Sequence, residues 1–373
     1  MTSVLSIGYG RQLFVRDDGE RARLVACAET VDALHLIVFT RHSHCLSPVR
    51  EGKLSLHPTN AYTRFGMLLA AFVRGRRIIR ESGHREWVIS TQDPFEAGLV
   101  GYLLSRTFGM PLQVQEHGDF FGSDWWRTER FLNRLRYRFG VWLLRRAACI
   151  RTVSARAKQH IVALGIEPAR IATLSVATDL ARFSAVSGSR VREPHAPVTI
   201  LAVGRLVREK NLPLLLRACA RVATRQRVRL VIAGSGPEER VLQELAAGYP
   251  ALATSFVPWT KDVPALMRDA DIFALTSYRE GWARVILEAM AAGLPSVVTE
   301  VGCVGEVFHT EKHGIVVPPA DEAAFAAALE RLVIDAELRR TLGGQAAASA
   351  MAYAEAQVPY PLAWRETLRA CGV

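Results

Sequence analysis

Two glutamates, Glu280 and Glu288, stand in the segment Tyr278-Arg-Glu-Gly-Trp-Ala-Arg-Val-Ile-Leu-Glu-Ala-Met-Ala-Ala-Gly-Leu-Pro295. The run before them, Asp271-Ile-Phe-Ala-Leu-Thr-Ser277, is short, apolar and partly β-branched, and reads as a buried strand. A strand that turns at Glu280-Gly281 into a helix leaves the N–H groups of Trp282, Ala283, Arg284 and Val285 without helical partners. Those donors, with roughly half a positive charge from the helix dipole, suit a phosphate. Glu280 in the turn and Glu288 on the helix would flank it, where carboxylates serve as acceptors for hydroxyls. A phosphate between two hydroxyl-bearing groups implies a nucleotide-sugar. Glu288 sits among Ile286, Leu287, Ala289 and Met290, so its helix is expected to be buried and its carboxylate to need partners. The ordinary alternative is a solvated glutamate. The phosphate site between the two acids argues against a glycosidase pair.

A second loop offers cations. Val203-Gly-Arg-Leu-Val-Arg-Glu-Lys-Asn-Leu-Pro213 puts Gly204, Arg205 and Lys210 between a predicted strand and an amphipathic helix. The Arg205 fork and the Lys210 point charge suit a diphosphate, although an isolated pair of this kind is more often a solvated basic loop. Ala233-Gly-Ser-Gly-Pro237 places Gly234 and Gly236 after another strand, either for close approach to a ligand or for a tight turn. It lacks the full Gly-x-Gly-x-x-Gly spacing, which argues against a nicotinamide dinucleotide. In the first half, Gln115-Glu-His-Gly-Asp-Phe120 sets His117 and Asp119 after an apolar strand. A neutral imidazole there could contact a hydroxyl or shuttle a proton; a structural histidine is the alternative. Asp93, in Thr91-Gln-Asp-Pro-Phe95, is a candidate acceptor-side residue or a plain Asp-Pro turn.

These loops need a scaffold. A chain of 373 residues exceeds one comfortable core, so two domains are expected. From Val198 onward, strands at Val198–Val203, Val228–Ala233, Ser255–Pro258, Ile272, Ser296–Thr299 and Gly314–Val317 alternate with helices near 212–224, 238–247 and 263–270, the helix carrying Glu288, and one at 321–333. The first half alternates less cleanly, with strands near residues 4, 36, 87, 112, 150 and 171 and helices over 63–74, 95–107 and 128–147. Such alternation predicts α/β domains with parallel sheets covered on both faces, and ligands at the carboxyl ends of strands. The predicted division is 1–184, a polar linker 185–197, 198–351, and a segment 352–373 that could return to the first domain.

Composition excludes other classes. Half the residues are hydrophobic and charged residues are not scarce, so the chain is globular. Its longest apolar runs fall far below the roughly eighteen residues of a membrane span. The start, Met1-Thr-Ser-Val-Leu-Ser-Ile7, has neither a basic region nor a cleavage site, and no secretory signal is expected. The six cysteines show no short pairing, which favours free thiols in a reducing cytosol and argues against a zinc or redox pair. Residues 1–185 hold 26 Lys+Arg against 16 Asp+Glu, whereas the remainder holds 21 against 20. That asymmetry points the first half toward an anionic partner. Residues 125–146 are basic and aromatic, with seven arginines against Glu129, and form either a helix lying on an anionic bilayer or an ordinary half-buried helix.

Taken together, these residues resemble the retaining glycosyltransferases of the GT-B fold known as glycosyl transferases group 1, family 4. The likeness is strongest over residues 198–333, on Gly204-Arg205 with Lys210, Gly234-x-Gly236-Pro237 and Glu280-Gly281 with Glu288-Ala-Met-Ala-x-Gly-x-Pro295. It is looser in the first half, on Thr91-Gln-Asp-Pro94, His117-Gly-Asp119 and Asp179-Leu-Ala-Arg-Phe183. The resemblance implies two Rossmann-like doubly wound domains facing across a cleft. Arg205 and Lys210 would hold the donor diphosphate, Glu280 the donor sugar, Glu288 the ribose, and His117 the transferred sugar. Gly8, Gly10, Asp93 and Asp119 would lie on the acceptor side. It also implies a nucleoside diphosphate sugar as donor, a glycan or lipid-linked acceptor, and no metal or other cofactor; the thiols lead to an expected cytoplasmic location, peripheral on the inner membrane face if residues 125–146 lie on a bilayer. Where the family commonly has Glu-Gly-Phe-Gly, this chain has Glu280-Gly-Trp-Ala283; the usual glycine pair after the first strand is Gly8-Tyr-Gly10, and a later one is Gly302-Cys303. The alternatives are a nucleotide-sugar epimerase, a phosphorylase, or a basic nucleic-acid binder; the last is disfavoured because no known reader pattern is present.

Overall fold

The structure, a computed structural model, describes residues 2–15, 19–84, 86–188 and 196–372. The chain divides into two compact units, residues 1–175 with 358–373 and residues 176–357. Of the predicted linker 185–197, residues 189–195 lie outside the described residues; a short helix, Ala181–Ser184, ends just before it.

The first unit is built on eight strands: β1 (Ser3–Gly8), β2 (Leu34–Val38), β3 (Val49–Glu51), β4 (Leu54–Pro58), β5 (Trp87–Thr91), β6 (Leu112–Glu116), β7 (Cys149–Thr152) and β8 (Ile171–Thr173). Their order is β3-β4-β2-β1-β5-β6-β7-β8, and every pair is parallel except β3 with β4. All residues of β1, β5, β6 and β7 are buried, as a parallel sheet covered on both faces requires. The β3–β4 hairpin escapes sequence reading because β3 is three residues long and polar, and its turn rests on Gly52 at φ +56°.

The second unit carries β9 (Val198–Val203), β10 (Val228–Ala233), β11 (Ala253–Val257), β12 (Ile272–Leu275), β13 (Ser296–Thr299) and β14 (Gly314–Val317). They are ordered β11-β10-β9-β12-β13-β14 and all are parallel. The loops after β9, β10, β12 and β13 therefore leave the sheet on one edge.

Two sequence expectations are corrected. The single helix expected over 128–147 is two, Asp124–Glu129 and Phe131–Leu144. Arg130 between them is extended, at φ −138° and ψ 141°, and Asn133 Nδ2 donates to the Trp126 carbonyl across the break (2.8 Å). Six free thiols were expected, but Cys149 on β7 is bonded to Cys371, 222 residues away. What brings them together is the helix Tyr360–Arg369, which buries Trp364 and Leu368 in the first unit's core. No short-range spacing in the sequence could disclose that contact.

Candidate functional site

In the second unit, the loops after β9 and β12 are stitched together by charged residues. The Lys210 ammonium pairs with Glu280 Oε1, and the Ser277 hydroxyl donates to the same oxygen at 2.6 Å. Lys210 and Glu280 side chains are 17% and 11% exposed, so the pair is partly desolvated yet reachable. One residue back in each loop, the buried Arg279 guanidinium donates to Glu209 Oε2 at 2.7 Å. The Tyr278 N–H donates to the Glu209 carbonyl (2.9 Å), and the Thr276 hydroxyl to the Lys210 carbonyl (2.8 Å). These bonds fix where Lys210 and Glu280 point. Arg205, four residues before Glu209, is exposed, and its guanidinium has no hydrogen bond or ion pair among the described residues.

Gly204, at φ +158°, lies beside the Lys210 stem, 3.5 Å from where a Cβ would stand. Gly234 and Gly236 meet protein: a Cβ on either would stand 1.8 Å from the Gly204 carbonyl oxygen or 2.3 Å from that of Leu206. Close packing of the β9 and β10 loops accounts for both glycines. Leu206 N–H donates to the Ser235 carbonyl (3.0 Å), and Glu238 N–H to that of Leu206 (3.0 Å).

The helix Arg284–Ala291 begins after Ala283, which adopts the left-handed conformation at φ 60° and ψ 60°. No side chain caps this helix, and the N–H groups of Arg284 and Val285 have no partner among the described residues. Trp282 is buried with its indole Nε1 unpartnered, and its carbonyl accepts from Cys303 N–H at 3.0 Å. Gly302, at φ +61°, passes so close that a Cβ would stand 2.7 Å from that carbonyl oxygen. Glu288 is half-buried and has no hydrogen bond or ion pair among the described residues. Burial raises its pKa above the ordinary value of 4.5, with Arg284 and Arg182 opposing the shift.

In the first unit, the parallel strands bring the loops after β1, β5 and β6 to one sheet edge. His117 follows β6; its Nε2 is 2.7 Å from Gln115 Oε1. Burial first, then the charges of Arg151 and Arg23, hold its pKa down at about 3, so the imidazole is neutral. Asp119, at φ +50°, bonds His160 Nδ1 at 2.7 Å, and that contact raises the pKa of His160. Asp93 Oδ1 accepts from the N–H groups of Phe95 (2.7 Å) and Ala97 (3.3 Å) at the start of the helix Glu96–Phe108. Its other oxygen is buried without a partner, and burial raises its pKa to about 6. Gly8 packs against the Gln92 side chain, whose oxygen accepts from Tyr9 N–H at 3.0 Å, and Gly10 turns the chain at φ +135°.

The structure thus assembles Gly204, Arg205, Lys210, Glu280, Gly281 and the start of the 284–291 helix on one edge of the second sheet. His117, Asp93, Gly8 and Gly10 lie on the corresponding edge of the first, with Asp119 turned to His160. Sequence reasoning missed Ser277, Glu209, Arg279, Gln115 and Arg151. Glu209 and Arg279 adjoin Lys210 and Glu280, but their pairing across 70 residues is a product of the topology. No group of three or more His, Cys, Asp or Glu among the described residues is arranged to hold a metal, and no described helix is long and apolar enough to cross a membrane.

Solved structures identify the architecture as GT-B. Sucrose-phosphate synthase from Thermosynechococcus elongatus is similar at a TM-score of 0.77 and 20% identity, over 99% of this chain and 98% of that one. Anabaena HepE, solved in complex with UDP and glucose, is similar at a TM-score of 0.73 and 18% identity over 100% of both chains. Sequence relatives narrow the class. An α-D-kanosaminyltransferase from Streptomyces kanamyceticus is 30% identical over 299 residues, 76% of each chain. A D-inositol 3-phosphate glycosyltransferase from Salinispora tropica is 30% identical over 305 residues, covering 74% of this chain and 62% of that protein, less than two thirds of its length. The family profile for glycosyl transferases group 1 matches residues 189–349, and that for the glycosyl transferase 4-like domain matches 15–177. The chain belongs to the glycosyl transferases group 1 family.

Proposed function

We propose that the chain is a retaining glycosyltransferase, moving a sugar from a nucleoside diphosphate sugar to a hydroxyl acceptor, without a metal, in the synthesis of a surface polysaccharide or glycolipid. The observation that carries this reading is the second unit's sheet edge. There Arg205, the Lys210–Glu280–Ser277 cluster and an uncapped helix start sit together, with Glu288 on that helix, and neither Arg205 nor Glu288 has a hydrogen-bond or ion-pair partner among the described residues. Departure of the nucleotide places negative charge on the β-phosphate, and Arg205, Lys210 and the Arg284 and Val285 N–H groups are the donors available to it. Preorganised donors of this kind contribute about 3–4 kcal/mol each to a barrier. Glu280 accepts from donor-sugar hydroxyls while keeping Lys210 in place, and Glu288 accepts from the ribose. No carboxylate in this arrangement stands out as a nucleophile, which supports same-face displacement.

Structures of HepE in complex with UDP-glucose and of an E. coli protein bound with UDP-2-fluoro glucose make uridine diphosphate the first nucleotide to try. Thermal-shift screening of nucleoside diphosphates, followed by hydrolysis and transfer assays with the matching nucleotide-sugars, tests the reading. Failure of every nucleoside diphosphate to stabilise the protein would remove it.

The acceptor reading extends to an anionic membrane surface through residues 125–146, on a narrower footing than the sequence alone suggested. Arg136 is engaged by Glu96, Arg127 by Asp124, and Arg146 lies over the Trp142 ring. Arg134 and Arg138 remain exposed beside Phe131, Leu132 and Leu135, of which Phe131 is 76% exposed. Apolar side chains next to free arginines suit an anionic bilayer. Changing Arg134 and Arg138 to Gln should weaken binding to anionic vesicles; undiminished binding counts against this surface.

A further inference from the structure

The hydrogen bonds around His117 admit one assignment of protons. The Thr367 carbonyl can only accept, so the Gln113 group 2.9 Å from it is the amide NH2. Gln113 Oε1 therefore faces the Ser90 hydroxyl, which donates to it at 2.9 Å. Having spent its proton, Ser90 Oγ accepts from Gln115 Nε2 at 2.7 Å. Gln115 Oε1 is thereby turned toward His117 Nε2, at 2.7 Å. Arg151 reaches the same result independently. Its guanidinium can only donate, it lies 3.3 Å from Gln115 Oε1, and its other arm is held by the Tyr360 hydroxyl at 2.7 Å. Against an oxygen, the neutral His117 ring must carry its proton on Nε2. That leaves Nδ1 with a bare lone pair, and Nδ1 has no partner among the described residues.

We propose that Gln115 and Arg151 are positioning residues, anchored through Ser90, Gln113 and Tyr360 to the helix Tyr360–Arg369, that fix His117 as its Nε2–H tautomer so that Nδ1 accepts a hydrogen bond from a substrate hydroxyl. The assignment of a sugar hydroxyl as the ligand rests on the transferase reading; the tautomer does not. A bare lone pair receives O–H groups and repels phosphate oxygens, so His117 recognises the sugar and not the nucleotide's phosphates. The charged and titratable groups around it agree. Arg151 on β7 and Arg23 on the Gly19–Ala28 helix disfavour an imidazolium, Tyr360 is bound to Arg151, and Glu116 is occupied by the Gly118 and Phe120 N–H groups, each at 3.0 Å.

Long-range nitrogen–proton NMR on the full chain, with 15N-labelled histidine, reads the tautomer without substrate. The expected signature is a neutral Nε2–H ring from pH 8 down to about pH 4. An Nδ1–H ring or an imidazolium at pH 7 overturns the assignment. Gln115→Glu places an anion on Nε2–H, so the His117 titration should move up toward its ordinary range and the transfer reaction should gain an acid limb that the native enzyme lacks. A change in Gln115 that merely loosened the fold would lower activity evenly across pH, and that outcome refutes the positioning role. For the ligand, His117→Asn keeps an acceptor near the Nδ1 position, whereas His117→Gln places its amide near Nε2. Asn should retain roughly tenfold or more of the activity left by Gln or Ala, the worth of one hydrogen bond; equal losses refute the hydroxyl contact. A correct tautomer in a chain without transferase activity would overturn the function and leave the positioning network standing.

Discussion

Arg205 and Lys210 share a loop and a charge, and the structure separates what their removal does. Arg205 is exposed and bonded to nothing among the described residues, so Arg205→Ala should change stability by less than about 0.5 kcal/mol. For a unit of this size that is a shift in Tm of about 1–2 °C. Its loss should appear in binding. A hydrogen bond between charged groups is worth about 1.5–3 kcal/mol, so Kd for uridine diphosphate should rise roughly 10- to 150-fold. Lys210→Ala acts differently, because Glu280 is left with Ser277 as its remaining partner in a partly buried position. Breaking a fully buried pair from one side costs about 3–5 kcal/mol. Discounted for the residual exposure of Lys210, the expected loss is about 1–3 kcal/mol, and Lys210→Ala/Glu280→Ala should recover part of it. Calorimetric titration of uridine diphosphate at fixed ionic strength, with thermal unfolding of the same samples, resolves the two residues. A Arg205→Ala protein that binds normally but melts several degrees lower would refute the reasoning, since Arg205 would then be holding the fold and not the ligand.

Ala283 bears a Cβ in the left-handed region, where glycine is free of strain, so Ala283→Gly should stabilise the chain by about 1 kcal/mol and raise Tm by about 2–4 °C. An unchanged or lowered Tm would mean that neighbouring packing compensates. Asp93 has a folded pKa of about 6, above its ordinary 3.8, so ionising it costs the fold. Its contribution is intact below about pH 4 and is lost as pH rises through about 6. Asp93→Asn keeps an oxygen for Phe95 and Ala97 N–H and should become more stable than the native chain across that window, by roughly 2–3 kcal/mol at pH 7; a difference that stays flat between pH 4 and 8 would contradict this. Burial raises the pKa of Glu288 above 4.5, and hydroxyl contacts require it ionised, so nucleotide affinity should fall on acidification at a higher pH than an ordinary glutamate would produce. Glu288→Gln should abolish that pH dependence, and titrations of the two proteins with identical acid limbs would argue against the ribose contact.

The second unit was legible in the sequence because its strands are apolar, short and punctuated by glycine. Val198–Val203, Val228–Ala233, Ser296–Thr299 and Gly314–Val317 fall where the pattern places them. The first unit was less so. Its β3–β4 hairpin is polar and its 124–144 helical region breaks at Arg130, a residue with no distinctive local signature. At the site, Lys210 and Glu280 could be picked out from their loops, but not their mutual pairing. Gly234 and Gly236 suggested a ligand approach, yet the backbone of the neighbouring loop lies against both. Gln115 and Arg151 left no trace in local spacing, because their meaning depends on Ser90, Thr367 and Tyr360, brought together by β5, β6, β7 and a helix more than 200 residues away. Local pattern reports which segments are buried; it does not report which side chains meet once they are.

That limit bears on how the donor edge works. The loops after β9 and β12 carry Arg205, Arg208, Lys210 and Arg279, with Arg284 at the helix start, and Glu209 and Glu280 pair with two of these five cations. Two of the cations are thus neutralised by fixed partners, so on the proposed reading net charge is only part of how a diphosphate is recognised. What remains is geometry. Glu209 fixes Arg279, and Glu280 holds Lys210, whose ammonium has three donors and can keep its carboxylate while offering the others to a phosphate. Donors already oriented by such pairs need little rearrangement as charge develops on a leaving group, and preorganisation is what makes them effective. On the proposed reading the acids beside the cations belong to the phosphate site as much as the cations do, with Glu280 accepting from Lys210 on one side and from donor hydroxyls on the other.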